Sequence, residues 1–309
     1  MQELTRTWRP GRPVDMVATL STLRRGAGDP SWRTTDGAVL WWATGTPDGA
    51  ALLRLRQVAG EVLAQAWGPG AAWVLDGVPL LLGQADDPAG FRPHAGHPRL
   101  LHAWRSRPGW RVPRSRRVLD ALTAAGVEQV VTGREARASW RALVLAVGEP
   151  APGAPAAEGG PAAGMRLPPT PQAWRSVPSW QWLRAGVGES RRRVVLAGAR
   201  SASALERTLT LPAEQVERAL RSLPGVGVWT AAETRQRAHG DPDAFSFADY
   251  HVGRDVTWAL TGEALDDEAC AEVIACYAGH RYRVQRLLEL DGARRPRHGP
   301  RRSLPTHLP

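Results

Sequence analysis

"LPGVGVWTA", residues 223–231, decides how this chain reads. Two glycines two positions apart follow Pro224 and interrupt sequence that is helical on both sides. Upstream, "LPAEQVERALRSL" (211–223) starts a helix at Pro212, where a missing N–H costs nothing. Val216, Leu220 and Leu223 mark one face of that helix, while Arg218 and Arg221 point elsewhere. After Gly227, "VWTAAETRQRA" (228–238) carries the pattern of a second helix. A Gly-x-Gly that opens a helix holds a nucleotide cofactor, grips a nucleic-acid backbone, or turns a corner. A dinucleotide fingerprint needs a strand before its glycines, and here a helix precedes them. That sets the cofactor aside. A glycine hairpin lets the backbone approach a phosphate, with N–H groups at the second helix's start aimed at the anion. Such a grip is independent of base sequence. A plain inter-helix turn needs the same residues, so the surroundings must decide.

The whole chain narrows the partners. Its 309 residues are enough for two or three small domains. Its formal charge is +10, and all 40 basic residues are arginine, since lysine is absent. Asparagine is absent too, and a GC-rich coding bias accounts for both absences. The chemical consequence is that no side-chain amine exists to form a Schiff base. The charge points to an acidic partner, nucleic acid first. Two cysteines, Cys270 and Cys276, are too few for an iron–sulfur cluster or an all-cysteine zinc site, and both read as core or semi-buried residues. There is no signal peptide and no apolar run near eighteen residues, so the expectation is a cytoplasmic protein, nucleoid-associated if bacterial, with no membrane contact.

Residues 1–97 read as strands with turns. "AVLWWAT" (38–44), the turn "GTPDG" and "ALLRLRQ" (51–57) form a hairpin, with Leu53 and Leu55 alternating with Arg54 and Arg56. "EVLAQAW" (61–67) pairs next, and a short helix follows around "AAWVLDGVPLLLG" (71–83). From residue 98 to 290 the pattern is helical, beginning with "RSRRVLDALTAAGVEQVVTGREARASWRALVLAVG" (114–148), which breaks near Thr132. "EPAPGAPAAEGGPAAG" (149–164) is almost all Pro, Ala and Gly; its composition predicts a flexible segment that buries no core. The basic, proline-rich stretch 291–309 reads as a disordered tail.

Twenty-two residues after Gly227 stands Asp249, within "AFSFADYHVGRDVTWAL" (244–260). It follows an irregular apolar loop and precedes a helix, the position of an N-cap. A carboxylate fixed there would also face whatever the hairpin grips. At these residues the sequence resembles a known family. "LRSLPGVGVWTA" (220–231), "DAFSFADYHV" (243–252) and "YAGHRYRVQRLL" (277–288) are similar to the helix–hairpin–helix DNA glycosylases, and most to the alkylpurine branch of the 3-methyladenine DNA glycosylase II type. "GVEQVVTGREARASWRALV" (126–144) resembles that branch's glutamine-containing segment.

The resemblance implies a mainly α fold behind an N-terminal α+β domain with an antiparallel sheet. It implies a monofunctional, monomeric enzyme that excises alkylated purines from double-stranded DNA in base excision repair. Asp249 takes the catalytic place. Gly225, Gly227 and Thr230 fall where the hairpin binds a DNA phosphate, and Gln129 and Val130 where a wedge fills the space of the flipped nucleotide. Main-chain carbonyls of Arg221, Leu223 and Val226 would hold a structural Na+ or K+, and no cofactor serves the chemistry. Trp229 stands where bifunctional members carry a lysine; it suits stacking on an electron-poor base, and core packing is the alternative. Glu233 and Glu289 replace pocket aromatics of the branch, and each faces either the base or solvent. His251 either lines the pocket or is structural. Arg281 and Arg283 are weaker phosphate candidates. Excision of a deaminated or bulky base, and DNA binding without turnover, are the rival functions.

Overall fold

Alternating leucines at 53 and 55 build a strand with one buried face, and the computed structural model, which describes residues 3–35 and 38–296, pairs it in a five-stranded antiparallel sheet. The strands are β1 (Leu4–Trp8), β2 (Trp32–Thr35), β3 (Val39–Thr46), β4 (Gly49–Val58) and β5 (Glu61–Trp67), in the order β1-β5-β4-β3-β2. The expected hairpin is β3–β4, closed where Thr46 faces Gly49, whose φ of 116° requires glycine. Helices α1 (Met16–Leu20) and α2 (Ala71–Leu81) bring Met16, Leu20, Val74 and Val78 onto the face formed by Leu53, Leu55, Val62 and Ala64.

The opposite face carries Val39, Trp41, Ala43, Leu52 and Trp67, and what covers it corrects a sequence expectation. Residues 149–167 are ordered and lie on this face as a strap, with Ala151, Ala162, Met165 and Leu167 buried. The strap folds back on itself through Ala151 N to Met165 O (3.0 Å) and Leu167 N to Glu149 O (2.8 Å). Arg33 of β2 donates to Pro161 O and Ala163 O, both at 2.8 Å. Gly153 has φ +94°, and a Cβ there would lie 2.5 Å from Trp67 Cβ. Small residues are needed because the backbone itself lies against the stacked Trp41 and Trp67 rings, 5.9 Å apart. Low side-chain volume is therefore a packing solution here.

The rest is helical: α3 (Pro98–Arg105), α4 (Val118–Glu128), α5 (Gly133–Val147), α6 (Pro171–Ser176), α7 (Ser179–Arg184), α8 (Glu189–Arg200) and α9 (Ala202–Arg207) come first. Then follow α10 (Ala213–Arg221), α11 (Val228–Thr234), α12 (Val252–Thr261), α13 (Asp267–Val273) and α14 (Arg281–Leu290). Every residue of α4 from Val118 to Val127 except Asp120 is buried, as an apolar-all-round helix must be. It is the axis on which α5, α8 and α11 pack.

Two arginines expected near phosphate are engaged elsewhere. Arg283 is fully buried on α14 and donates to Asp86 Oδ1 and Oδ2 at 2.5 and 2.9 Å, tying the last helix to the segment after α2. A buried charge of this kind needs its partner, because the lone ion is far costlier than the pair. Arg281 pairs with Asp243. Cys270 is buried, whereas Cys276 is exposed, against expectation. No helix among the described residues is long and apolar enough to cross a membrane. Of the predicted tail, residues 297–309 lie outside the described residues, while Arg295 is paired with Asp255 at 3.0 Å.

Candidate active site

The hairpin between α10 and α11 uses its glycines for different reasons. Gly225 has φ +80°, and a Cβ there would meet Val194 Cγ2 at 2.7 Å, so the fold itself needs glycine. Gly227, at the start of α11, has an ordinary φ of −89° and ψ of −174°. A Cβ on Gly227 would meet nothing within 4 Å. Nothing inside the protein requires that glycine; what it leaves is open surface at a helix start. Thr230 is buried, and its hydroxyl accepts from Gln129 Nε2 at 2.7 Å, so its side chain is turned away from solvent. The same Gln129 nitrogen donates to Gly225 O at 3.0 Å.

Asp249 follows Ala248, whose φ of +63° is unusual for a residue with a Cβ. Its Oδ1 accepts from the N–H groups of His251 (2.7 Å) and Val252 (3.0 Å), satisfying donors at the start of α12. Its Oδ2 accepts from Trp229 Nε1 at 3.0 Å. The half-buried carboxylate is thus a cap and, through Trp229, is fixed beside the glycine hairpin. Three N–H donors fix both oxygens.

No known protein-family profile matches the chain, and no curated protein matches it by sequence. Solved structures do match. The 3-methyladenine DNA glycosylase from Archaeoglobus fulgidus superposes with a TM-score of 0.74 at 18% identity, over 94% of this chain and 99% of that one. The apo form of Clostridium acetobutylicum 8-oxoguanine glycosylase/lyase gives 0.68 at 10% identity, over 93% and 97%. MBOgg1 in complex with a low-affinity DNA ligand gives 0.67 at 12%, over 94% and 98%. The fold is that of the helix–hairpin–helix DNA glycosylases. In this glycosylase fold the likeness runs through the N-terminal sheet as well as the helical part, as the coverage requires.

Other residues of the candidate site separate into those the fold brings to Asp249 and those it does not. Trp229 and His251 are brought there. The His251 ring meets Tyr250 edge-on at 4.8 Å, and its Nδ1 is 3.4 Å from the Arg295 guanidinium. Glu233 is not available to a base: it is buried, with Oε1 accepting from Ser246 Oγ at 2.7 Å and Oε2 paired with Arg237 at 2.7 Å. Burial opposes the Arg237 charge most strongly, but Glu233, Tyr282, Glu128 and Glu289 together outweigh it and raise the guanidinium's affinity for its proton. Ser246 in turn accepts from Gln236 and Gln285, and Gln285 donates to Glu289 at 2.9 Å. Glu289 also pairs with Arg286 at 2.7 Å, so it belongs to this network.

The two wedge candidates divide. Gln129 is turned inward onto the hairpin, whereas Val130 is fully exposed with φ +54°. A β-branched residue in that conformation is a strained outlier, and such strain concentrates at functional sites. For a cation, Leu223 O accepts from Val226 N at 3.1 Å, while among the described residues no loop hydrogen bond uses the carbonyls of Arg221 or Val226. Neutral main-chain oxygens of this kind suit an alkali ion. Among the described residues no group of three or more His, Cys, Asp or Glu could hold a metal ion. Sequence reasoning missed Tyr250, which is 74% exposed beside Asp249 with Arg254 5.5 Å from its ring centre. Its signal was an aromatic directly after the candidate aspartate at a loop–helix boundary.

Proposed function

We propose that this protein is a monofunctional DNA glycosylase that excises alkylated purines from duplex DNA. The observation that carries the reading is Asp249, held by three N–H donors and joined by one of them to a glycine hairpin with open surface. A base within a duplex is out of reach, so it must be rotated out at a cost of about a few kcal/mol. Breaking its bond to the sugar develops positive charge on the sugar, as in other glycoside hydrolyses. A carboxylate already oriented stabilises that charge without reorganising, and it sits where it can help a water attack.

The absence of lysine from the whole sequence supports hydrolysis without strand cleavage, since no side-chain amine can attack the sugar. Gly225 and Gly227 would receive a phosphate, and the carbonyls of Arg221, Leu223 and Val226 would hold an alkali ion. The net charge of +10 favours DNA as the partner. An alkylated purine is cationic and leaves readily, which suits a site that offers an aromatic face and a fixed carboxylate.

A second reading, excision of a deaminated or bulky base, is favoured by one observation. The position one turn after Trp229 offers no aromatic ring to the base, because Glu233 stands there and is buried against Arg237 and Ser246. Duplexes carrying single lesions, assayed for free-base release, separate the two. Release of 3-methyladenine or 7-methylguanine is expected, and exclusive release of a neutral lesion would replace the first reading with the second. No release from any duplex would leave a DNA-binding protein without turnover.

A further inference from the structure

The turn that projects Val130 is gripped from a third side. Residues 129–132 link α4 to α5. Gln129 ties the turn to the hairpin, and Thr132 starts α5 with a capping box that engages Glu135. The third contact comes from the N-terminal part of the chain. Arg25 Nη1 donates to both oxygens of Glu128, the last residue of α4, at 3.1 and 3.0 Å. The two side chains are 7% and 21% exposed, so this pair is largely removed from solvent screening.

Arg25 is itself held. Its N–H donates to Asp29 Oδ2 at 2.7 Å. Asp29 Oδ1 accepts from Ser31 N, from Ser31 Oγ and from Trp140 Nε1 of α5 at 3.0, 2.7 and 3.3 Å. Arg141, also on α5, donates to Gly28 O at 2.7 Å. The segment from Arg25 to Ser31 therefore clasps the helices on both sides of the turn. Gly26, with φ +86°, lets it bend under Arg137, whose Cδ would lie 2.7 Å from any Cβ there.

We infer that Arg25 is a positioning residue for duplex opening: through Glu128 it braces the turn on which Val130 stands. This rests on the glycosylase reading above. An apolar side chain pushed into a base stack acts only if its support does not yield. A strained backbone at Val130 persists only where its surroundings over-determine it. The Arg25–Glu128 pair supplies that support from the sheet-bearing part of the chain, although Arg25 touches no reacting atom.

The test removes the brace without leaving a lone buried charge. Arg25→Met combined with Glu128→Leu takes out both partners, and urea unfolding checks that the variant folds. Single-turnover base release is compared on two substrates, a lesion in a paired duplex and the same lesion in an unpaired bulge, where no opening is required. The expected result is release about 10-fold slower from the paired duplex and unchanged within about 2-fold from the bulge. Equal losses on both substrates, or no loss on either, would overturn the inference. A second readout needs no excision: the fluorescence of 2-aminopurine placed beside the lesion reports unstacking when protein binds. Wild-type protein should raise it and the double variant should not, at matched occupancy. If wild-type protein releases no base at all, the enzymatic reading fails, and this fluorescence comparison still decides the role of Arg25.

Discussion

Trp229 Nε1 stands 3.0 Å from Asp249 Oδ2, so the first turn of α11 and the loop before α12 share one hydrogen bond at the site. The tryptophan orients the carboxylate and ties it to the glycine hairpin. Replacing either partner has separable effects on folding and on chemistry.

Asp249→Asn keeps an oxygen for the His251 and Val252 N–H groups, and asparagine caps about as well as aspartate. Its amide then turns an NH2 toward the Trp229 N–H, donor against donor. The variant should fold, less stably by about 1–2 kcal/mol. Under single-turnover conditions base release should slow by about 100-fold or more, while lesion binding is kept. Wild-type release rates from a folded variant would reduce Asp249 to a cap.

Trp229→Phe keeps a ring and removes the N–H. Loss of one hydrogen bond to a charged acceptor, worth about 1.5 kcal/mol, should slow base release by about 10-fold. Lesion affinity should change by no more than a few fold. The opposite pattern, weak binding with an unchanged rate, would make Trp229 a stacking surface only.

The hairpin glycines should fail in different ways. Gly225→Ala places a Cβ in a left-handed conformation against Val194 and should lower stability by about 1–2 kcal/mol. The Cβ of Gly227→Val meets no atom of the protein within 4 Å, and the variant should cost less than about 1 kcal/mol. It should nevertheless weaken DNA binding by about 10-fold or more, alike for all sequences, in fluorescence anisotropy. Unchanged affinity in Gly227→Val would remove the hairpin from the DNA surface.

His239 predicts an acid-sensitive fold. Burial, aided by the nearby Arg114 and Arg235 guanidinium groups and opposed by Asp241, pushes this imidazole down to about 4. Thr208 Oγ1 gives its only hydrogen to Leu205 O at 2.6 Å, so at 2.9 Å it accepts from His239 Nε2, which fixes the tautomer of the neutral ring. The unfolded chain, with an ordinary pKa of about 6.5, takes up this proton first. The stability that neutral His239 lends is therefore complete above about pH 6.5 and is lost as the pH falls toward 4. Between pH 7 and 5 the wild type should lose about 1–2 kcal/mol more than His239→Gln in urea unfolding. Parallel losses in the two proteins would assign the acid sensitivity to other groups.

Local signals carried most of what the sequence could tell. The hairpin was legible because Pro224, Gly225 and Gly227 punctuate two amphipathic helices, and Asp249 because it stands where a loop gives way to a helix. The β3–β4 hairpin was legible from alternation and a turn of known type. What was not legible depends on contacts between distant residues. Nothing in the spacing of residues 229 and 249 says that the indole N–H finds the carboxylate. The burial of Arg283 depends on Asp86, 197 positions away. Glu233 read as facing either the base or solvent because Arg237 and Ser246, which neutralise and bind it, are ordinary polar residues in sequence.

The strap over the sheet also bears on the order in which the protein is made. A nascent chain ending near residue 97 has all five strands but lacks residues 149–167, so Val39, Trp41, Leu52 and Trp67 line an uncovered apolar face. Exposed faces of that kind draw chains together. Synthesis must run on past residue 167 before these strands acquire their outer layer. The sheet is thus made before its strap and finished only after that later segment returns to it.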